Sequence, residues 1–323
     1  MGHLARCHEV RSDPTPTTRV LYLAGWGRSG STLAESLLDQ VPDLVGVGEI
    51  KFLWERGLQQ NRRCSCGTPL RSCDFWVQVL KEAFGGIPGD AEAGRLDAAS
   101  RRFRTRHLPG LLLRSAGPPD TEELRWYFGV LRRLYAAVAE VSGAKVVVDS
   151  SKFPSYLTAL LRVPGLDLRV AHIVRDPRAV AYSWQRLKHD PDAPNGALMP
   201  RMHPGFTALY WSAWNLATER IARRAGLPYF RFRYEDLVAD PAGTVRSVTR
   251  LSGVPEAELP LDGRGELLVR PTHQVSGNPV RFRSGAVPLR LDDEWTTRMP
   301  SRHRYLTGAV TVPLRHRYGY RDS

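Results

Sequence analysis

Two clusters of anion-binding residue types stand out, each where an apolar run gives way to a helical pattern. The first is VLYLAGWGRSGSTLAESLLDQ, an apolar stretch, a glycine-rich turn and an amphipathic helix beginning near Gly30 and Ser31. Glycines at 25, 27 and 30 let the backbone turn tightly and approach a ligand closely. The helix start offers unpaired N–H groups and the positive end of its dipole to an anion. Ser31 and Thr32 add hydroxyl donors, and Arg28 is the only cation in the loop. The frame G-x4-G is present at Gly25 and Gly30, but Ser31 stands where a Walker loop carries its lysine. A P-loop small-molecule kinase, which needs that lysine on the β/γ-phosphates, is therefore the disfavoured enzymatic alternative.

The second cluster is AHIVRDPRAVAYS. A strand ends at Val174, Asp176 can cap the next helix, and Pro177 suits its first turn. Arg175 then sits at the strand's carboxyl end, the ligand side of an open α/β sheet. Ser183 follows two turns along the helix, near the same face. A guanidinium fork with a hydroxyl beside it suits a phosphate. Further groups fall near the same edge. Glu49, in DLVGVGEIKFLW, ends a second apparent strand and starts a helix, whereas Lys51 would face elsewhere. VVVDSSKFP carries Asp149, Ser150, Ser151 and Lys152 to the edge. The irregular basic segment HQVSGNPVRFRSG, with Gly277, Asn278, Arg281 and Arg283, is either a loop that closes over a nucleotide or a solvated one.

The elements that must hold these groups are legible as short apolar strands bounded by turn residues, at 19–25, 144–149, 168–174 and 228–234. Helical patterns lie between them, at 31–41, 121–141, 154–163, 176–188 and 206–226. The alternation implies βαβ units: an α/β, P-loop-like three-layer αβα domain with a central parallel sheet. Residues 1–18 read as a flexible N-terminal segment and 19–323 as a single domain. Within it, 57–120 form a largely helical insertion over one edge of the sheet, placed to act as a lid or to shape an acceptor pocket. Beyond 253 the chain is rich in Pro, Gly and Arg with little periodicity. His172 reads as a buried strand histidine and His203 as a loop residue within reach of an acceptor pocket. Tyr234, Glu235 and Asp236 would fix a strand-to-helix turn, and the helix YWSAWNLATERI would pack in the core.

With 323 residues, 42% hydrophobic and 24% charged, the chain is neither a disordered nor a fibrous sequence. No apolar run approaches the ~18 residues of a membrane span, and the first residues lack the apolar stretch of a signal peptide. A cytoplasmic protein without stable membrane insertion is expected. The net charge is +13, and 41 of the 46 basic residues are arginine. This favours an anionic partner, although an arginine bias also records GC-rich coding. Charge alone would allow a non-catalytic nucleic-acid-binding protein. No helix-turn-helix, RNP-like or zinc-knuckle pattern supports it, so no nucleic-acid partner is expected. Cys64, Cys66 and Cys73 cluster as C-x-C-x6-C with no fourth ligand nearby in sequence. They read first as reduced thiols on a loop, so no metal is expected, with a structural zinc site or an oxidised pair as the lesser alternatives.

GRSGST after a first strand, followed later by RDPRAVAYS, resembles the sulfotransferase family that uses 3′-phosphoadenosine 5′-phosphosulfate (PAPS). The likeness is to the branch with Arg in the first loop, which includes tyrosylprotein, carbohydrate and bacterial members. It spans about 19–49 and 145–189, and more faintly RYEDLVADP. The resemblance implies that Arg28, Ser29, Gly30, Ser31 and Thr32 hold the phosphosulfate, and that Arg175 and Ser183 hold the 3′-phosphate. It implies Glu49 as general base and Lys152 near the transferring group, although DSSK departs from the family's D-K-[ST]-P order. It also implies a late loop on the 3′-phosphate, here Gly277, Asn278 and Arg281. The expected reaction is in-line sulfuryl transfer to a hydroxyl of a small-molecule or carbohydrate acceptor, with protein cations in place of a metal.

Overall fold

The computed structural model describes residues 17–107, 121–193, 196–260 and 266–320. In β1 (Thr18–Ala24), Val20 and Tyr22 are buried on one face and Leu21 and Leu23 on the other. Burial on both faces is why the strand reads as a continuous apolar run. Its two neighbours, β3 (Val146–Lys152) and β4 (Leu166–Val174), run parallel to it, with Val20 beside Val147 and Leu168. β2 (Leu44–Gly48) pairs outside β3, and β5 (Tyr229–Arg233) outside β4. The order is β2-β3-β1-β4-β5, all parallel, so every strand presents its carboxyl end at one edge. The connections diverge to either side of β1, and such a switch point opens a crevice there.

α1 (Ser31–Leu38) packs Ala34, Leu37 and Leu38 on the Leu21 face. The opposite face is covered by α2 (Asp74–Phe84), α3 (Asp90–Ser100), α4 (Glu122–Ser142) and α5 (Pro154–Leu160). Leu58, Leu70, Trp76, Leu80 and Leu96 share one buried core with Val20, Tyr22 and Val47. The described part of the 57–120 insertion thus packs on one face of the sheet. Only its far end, at Thr105 and Arg106, reaches the site. Residues 108–120 lie outside the described residues, as do 1–16 of the expected flexible segment; Thr18 already opens β1.

α6 (Pro177–Gln185) and α7 (Pro204–Arg224) follow β4, and α7 contributes Trp211 and Trp214 to a third apolar cluster with Trp26 and Val174. α8 (Tyr234–Ala239) and α9 (Pro241–Ser252) join α1 on the Leu21 face. The antiparallel pair β6 (Leu267–Val269) and β7 (Gly285–Val287), the short α10 (Trp295–Arg298) and α11 (Ser301–Arg317) complete the chain. α11 escaped sequence reading because its buried stripe includes Thr307, Thr311 and Arg315. A polar stripe has no apolar period to detect. Among the described residues, no helix is long and apolar enough to cross a membrane.

Candidate active site

The carboxyl ends of β1, β3 and β4 open into a cavity of about 950 Å³. After β1 the backbone passes so close to β4 that a Cβ on Gly25 would lie 2.5 Å from the Ile173 carbonyl oxygen. Gly30, at φ +91°, starts α1 against the Tyr234 ring, leaving no room for a side chain. No side chain caps α1, and its first intrahelical bond is Ala34 N–H to the Gly30 carbonyl. The amides of its first turn are therefore left for a ligand, with the Ser31 and Thr32 side chains beside the cavity. Ser29 differs. Its side chain is buried away from the cavity, and its hydroxyl has no partner.

Arg28 adopts φ +72°, a left-handed conformation uncommon for a residue with a side chain. Its guanidinium stacks 5.0 Å from the Trp184 ring centroid and donates toward Met199 Sδ at 3.4 Å. Among the described residues no carboxylate pairs with it. Burial draws its ionisation down, and the field of Glu49 opposes that. Glu49 in turn forms an ion pair with Lys152 (Nζ–Oε1 2.5 Å), both side chains being about nine-tenths buried. Lys152 is also left-handed, at φ +70°. Trp214 Nε1 donates to its carbonyl at 3.0 Å, and Trp211 Nε1 donates to the Arg175 carbonyl at 3.1 Å. The two indoles of α7 thus pack in the core, as expected, and also fix the strand ends that carry both cations.

Arg175 is 5% exposed and lies 4.4 Å over the Tyr234 ring. It donates to the carbonyls of Arg28 (3.2 Å) and Asp292 (2.8 Å), and Asp292 Oδ2 lies 3.3 Å away. Its buried Nε has no partner. Ser183 is buried on the same cavity wall. The late loop reaches the cavity through Gly277 and Asn278, whose N–H donates to Thr32 Oγ1 at 3.3 Å. Arg281 does not line the cavity. Its terminal nitrogens donate to Asp192 (2.7 Å) and the Gly277 carbonyl (2.9 Å) and its buried Nε has no partner, while Arg283 lines the cavity instead.

Sequence reasoning missed further cavity cations: Arg56, Arg106, Arg186, Lys188 and Arg290. Nine lining residues are Lys or Arg against three Asp or Glu, so the cavity is a positive sink suited to a polyanion. Burial lowers the pKa of Lys188, and repulsion from Arg186, Arg28 and Arg175 adds to the shift. His203 does not line the cavity; it caps α7 by accepting from Gly205 N–H. His172 is fully buried between Tyr229 Oη (2.8 Å) and Asn215 Oδ1 (2.9 Å), and burial lowers its pKa to about 4. The Lys51 ammonium sits among Phe52, Phe153 and Tyr156 and faces a second, smaller cavity.

Glu35, on the core side of α1, was also unforeseen. It accepts from Gly48 N–H at 2.6 Å and shares a 2.5 Å hydrogen bond with Ser150 Oγ, tying α1 to the ends of β2 and β3. Complete burial pushes its pKa from 4.5 up to about 8. The folded chain therefore holds a proton there that the unfolded chain has released above pH 4.5, so stability is lost as pH rises from about 4.5 to 8. Glu35→Gln keeps the Gly48 bond through its carbonyl oxygen, replaces the Ser150 bond by one donated from its amide to Ser150 Oγ, and removes the titration. The variant should flatten the fall between about pH 5 and 8 by on the order of 3 kcal/mol in denaturant unfolding. An unchanged slope would mean that Glu35 is ionised in the fold.

A family model described as the sulfotransferase family matches residues 21–258, and the chain belongs to that family. It is accordingly a transferase built to move sulfuryl groups. No curated protein matches the sequence. Among solved structures, the sulfotransferase domain of the Synechococcus PCC 7002 olefin synthase is similar, with a TM-score of 0.51 and 18% identity over 94% of this chain and 97% of that one. The sulfotransferase domain of the curacin biosynthetic pathway aligns at a TM-score of 0.47 and 16% identity, over 94% and 98% of the two chains. Sulfotransferase STF9 of Mycobacterium avium aligns at 0.43 and 17%, over 75% and 66%. The parallel sheet with helices on both faces is thus the P-loop-like sulfotransferase fold.

Proposed function

We propose that this chain is a PAPS-dependent sulfotransferase acting on a hydroxyl of a small-molecule acceptor. The observation that carries this reading is the convergence of Arg28, the Glu49–Lys152 pair, Arg175 and the open start of α1 on one cavity. The residues fit the donor. The buried, unpartnered Nε of Arg175, the uncapped amides of α1 and the Arg28 guanidinium, which no carboxylate pairs among the described residues, offer donors to an anion. About 950 Å³ is room for a nucleotide and a second molecule.

When bound, PAPS supplies an activated sulfuryl group whose S–O bond to the 5′-phosphate breaks as the acceptor O–S bond forms. Arg28, Ser31, Thr32 and the α1 amides hold the phosphosulfate, with the Ser29 backbone shaping the turn. Arg175 and Ser183 hold the 3′-phosphate, and Gly277 and Asn278 close the loop over the donor. Glu49 takes the acceptor proton, and Lys152, its ion-pair partner, supplies positive charge where the leaving phosphate gains negative charge. On the acceptor side the wall is aromatic and apolar. Tyr210 stacks on Trp26, with centroids 5.5 Å apart and planes 7° from parallel, next to Phe153, Met199 and Met202. That lining suits an apolar body carrying a hydroxyl.

Thermal unfolding with adenosine 3′,5′-bisphosphate tests the reading. A hundred-fold excess over Kd should stabilise the fold by about 2.7 kcal/mol. No shift with this ligand, beside a shift with ATP and magnesium, would replace the sulfotransferase reading by a kinase one.

A further inference from the structure

Three cysteines that look isolated in sequence meet a histidine from the other end of the chain. The ligand atoms of Cys64, Cys66, Cys73 and His273 all lie within 4.8 Å of one another. Cys66 Sγ is 3.7 Å from Cys73 Sγ, and His273 Nδ1 is 3.4 Å from Cys73 Sγ and 3.7 Å from Cys64 Sγ. A tetrahedral zinc with bonds of about 2.3 Å to sulfur and 2.0–2.1 Å to nitrogen would have S–S edges of about 3.8 Å and S–N edges of about 3.6 Å. Three of the six separations therefore match the edges of a zinc tetrahedron, and the other three are within 4.8 Å.

We propose that Cys64, Cys66, Cys73 and His273 form a structural zinc site. All four groups are zinc ligand types, and four protein ligands close the coordination shell, which distinguishes a structural site from a catalytic one. The compact spacing suits one tetrahedral ion rather than an iron–sulfur cluster, whose ligands must spread around several atoms. A disulfide is the competing use of these thiols. It would need about 2.05 Å between sulfurs, would leave one thiol over and would give the imidazole nothing to do.

The surroundings hold the ligands in place. Cys64 N–H donates to the Thr68 carbonyl and Gly67 N–H to the Cys64 carbonyl, each at 2.9 Å, folding the first two cysteines into a tight turn. Phe75 stacks on the His273 ring at 4.8 Å, and Trp76 Nε1 donates to the His273 carbonyl at 2.8 Å. Ser65 bonds both flanks of the histidine, through the Thr272 carbonyl (2.6 Å) and Gln274 N–H (2.7 Å). The ion would fasten the insertion to the late segment a few residues before Gly277 and Asn278. Its role is to stake the root of the loop that reaches the cavity.

The test uses the full chain, purified without a polyhistidine tag or chelator. Elemental analysis should find about one zinc per chain. Cobalt(II) exchanged into the site should give tetrahedral d–d bands and a thiolate-to-cobalt charge-transfer band of three-thiolate intensity. Cys66→Ser and His273→Ala should each weaken zinc affinity at least 10–100-fold, measured by competition with a chromogenic chelator. Chelation of the wild type should lower its unfolding temperature. If a variant does not fold, the cobalt spectrum of the wild type decides alone. The proposal is overturned by protein without bound metal, whether its thiols all titrate or its mass shows a disulfide. Zinc held with unchanged affinity by both variants overturns it equally.

Discussion

Glu49→Gln should lower turnover by about 10²–10⁴-fold, the usual worth of a positioned general base, while adenosine 3′,5′-bisphosphate binds as before. Glutamine is the informative choice because Glu49 is paired with a buried lysine. An alanine would leave the largely buried Lys152 ammonium without its hydrogen-bond partner, mixing loss of base with local rearrangement. The amide carbonyl of glutamine can still accept from Lys152 Nζ, but it cannot take a proton from the acceptor. Steady-state kinetics and calorimetric titration on the same preparation separate the two effects. Turnover within a few-fold of wild type would remove Glu49 from the role.

The second large effect is expected at Arg175. Arg175→Ala should weaken adenosine 3′,5′-bisphosphate binding on the order of 10²-fold, since charge-assisted hydrogen bonds contribute about 1.5–3 kcal/mol each. Adenosine 5′-monophosphate, which lacks the 3′-phosphate, should lose less than about threefold. Arg175 also steadies the Arg28 carbonyl, so an equal loss for both nucleotides would make it a support for the first loop instead of a 3′-phosphate ligand. Arg175→Lys keeps the charge and forfeits the planar fork, and should fall between the two.

How much of this was readable from sequence follows from how local each signal is. The apolar strand, glycine turn and helix start of 19–41 occupy one continuous stretch, and the Asp-Pro junction after Val174 is likewise local. Arg28 and Arg175 could therefore be placed at strand ends before any fold was seen, and the structure does bring them to one cavity. Glu49 was visible as a carboxylate at a strand-to-helix junction, but its partner was not, because Lys152 arrives from β3. The late loop shows the limit of composition. Arg281 and Arg283 are equivalent in sequence, yet Asp192 sequesters the first and leaves the second at the cavity. Glu35 was hidden by its place in an apolar helix face, where a carboxyl is explained only by the Gly48 and Ser150 groups it meets in space. The cysteine cluster shows the same limit. Their fourth neighbour, His273, is brought to them only by tertiary contact.

With Arg175 in the proposed role of 3′-phosphate ligand, its contact with Asp292 would give donor capture the character of an exchange. An arginine facing an empty hollow would be drawn out toward water or would swing onto another acid. Here a carboxylate from the C-terminal segment holds the guanidinium in position, and Arg186 tethers the same acid and Glu294 from the other side. A phosphate arriving at Arg175 would compete with the Asp292 carboxylate already beside that guanidinium. Affinity then reports the difference between two anions instead of the full strength of one. A donor held on those terms can be gripped by many cations and still let its spent nucleotide go.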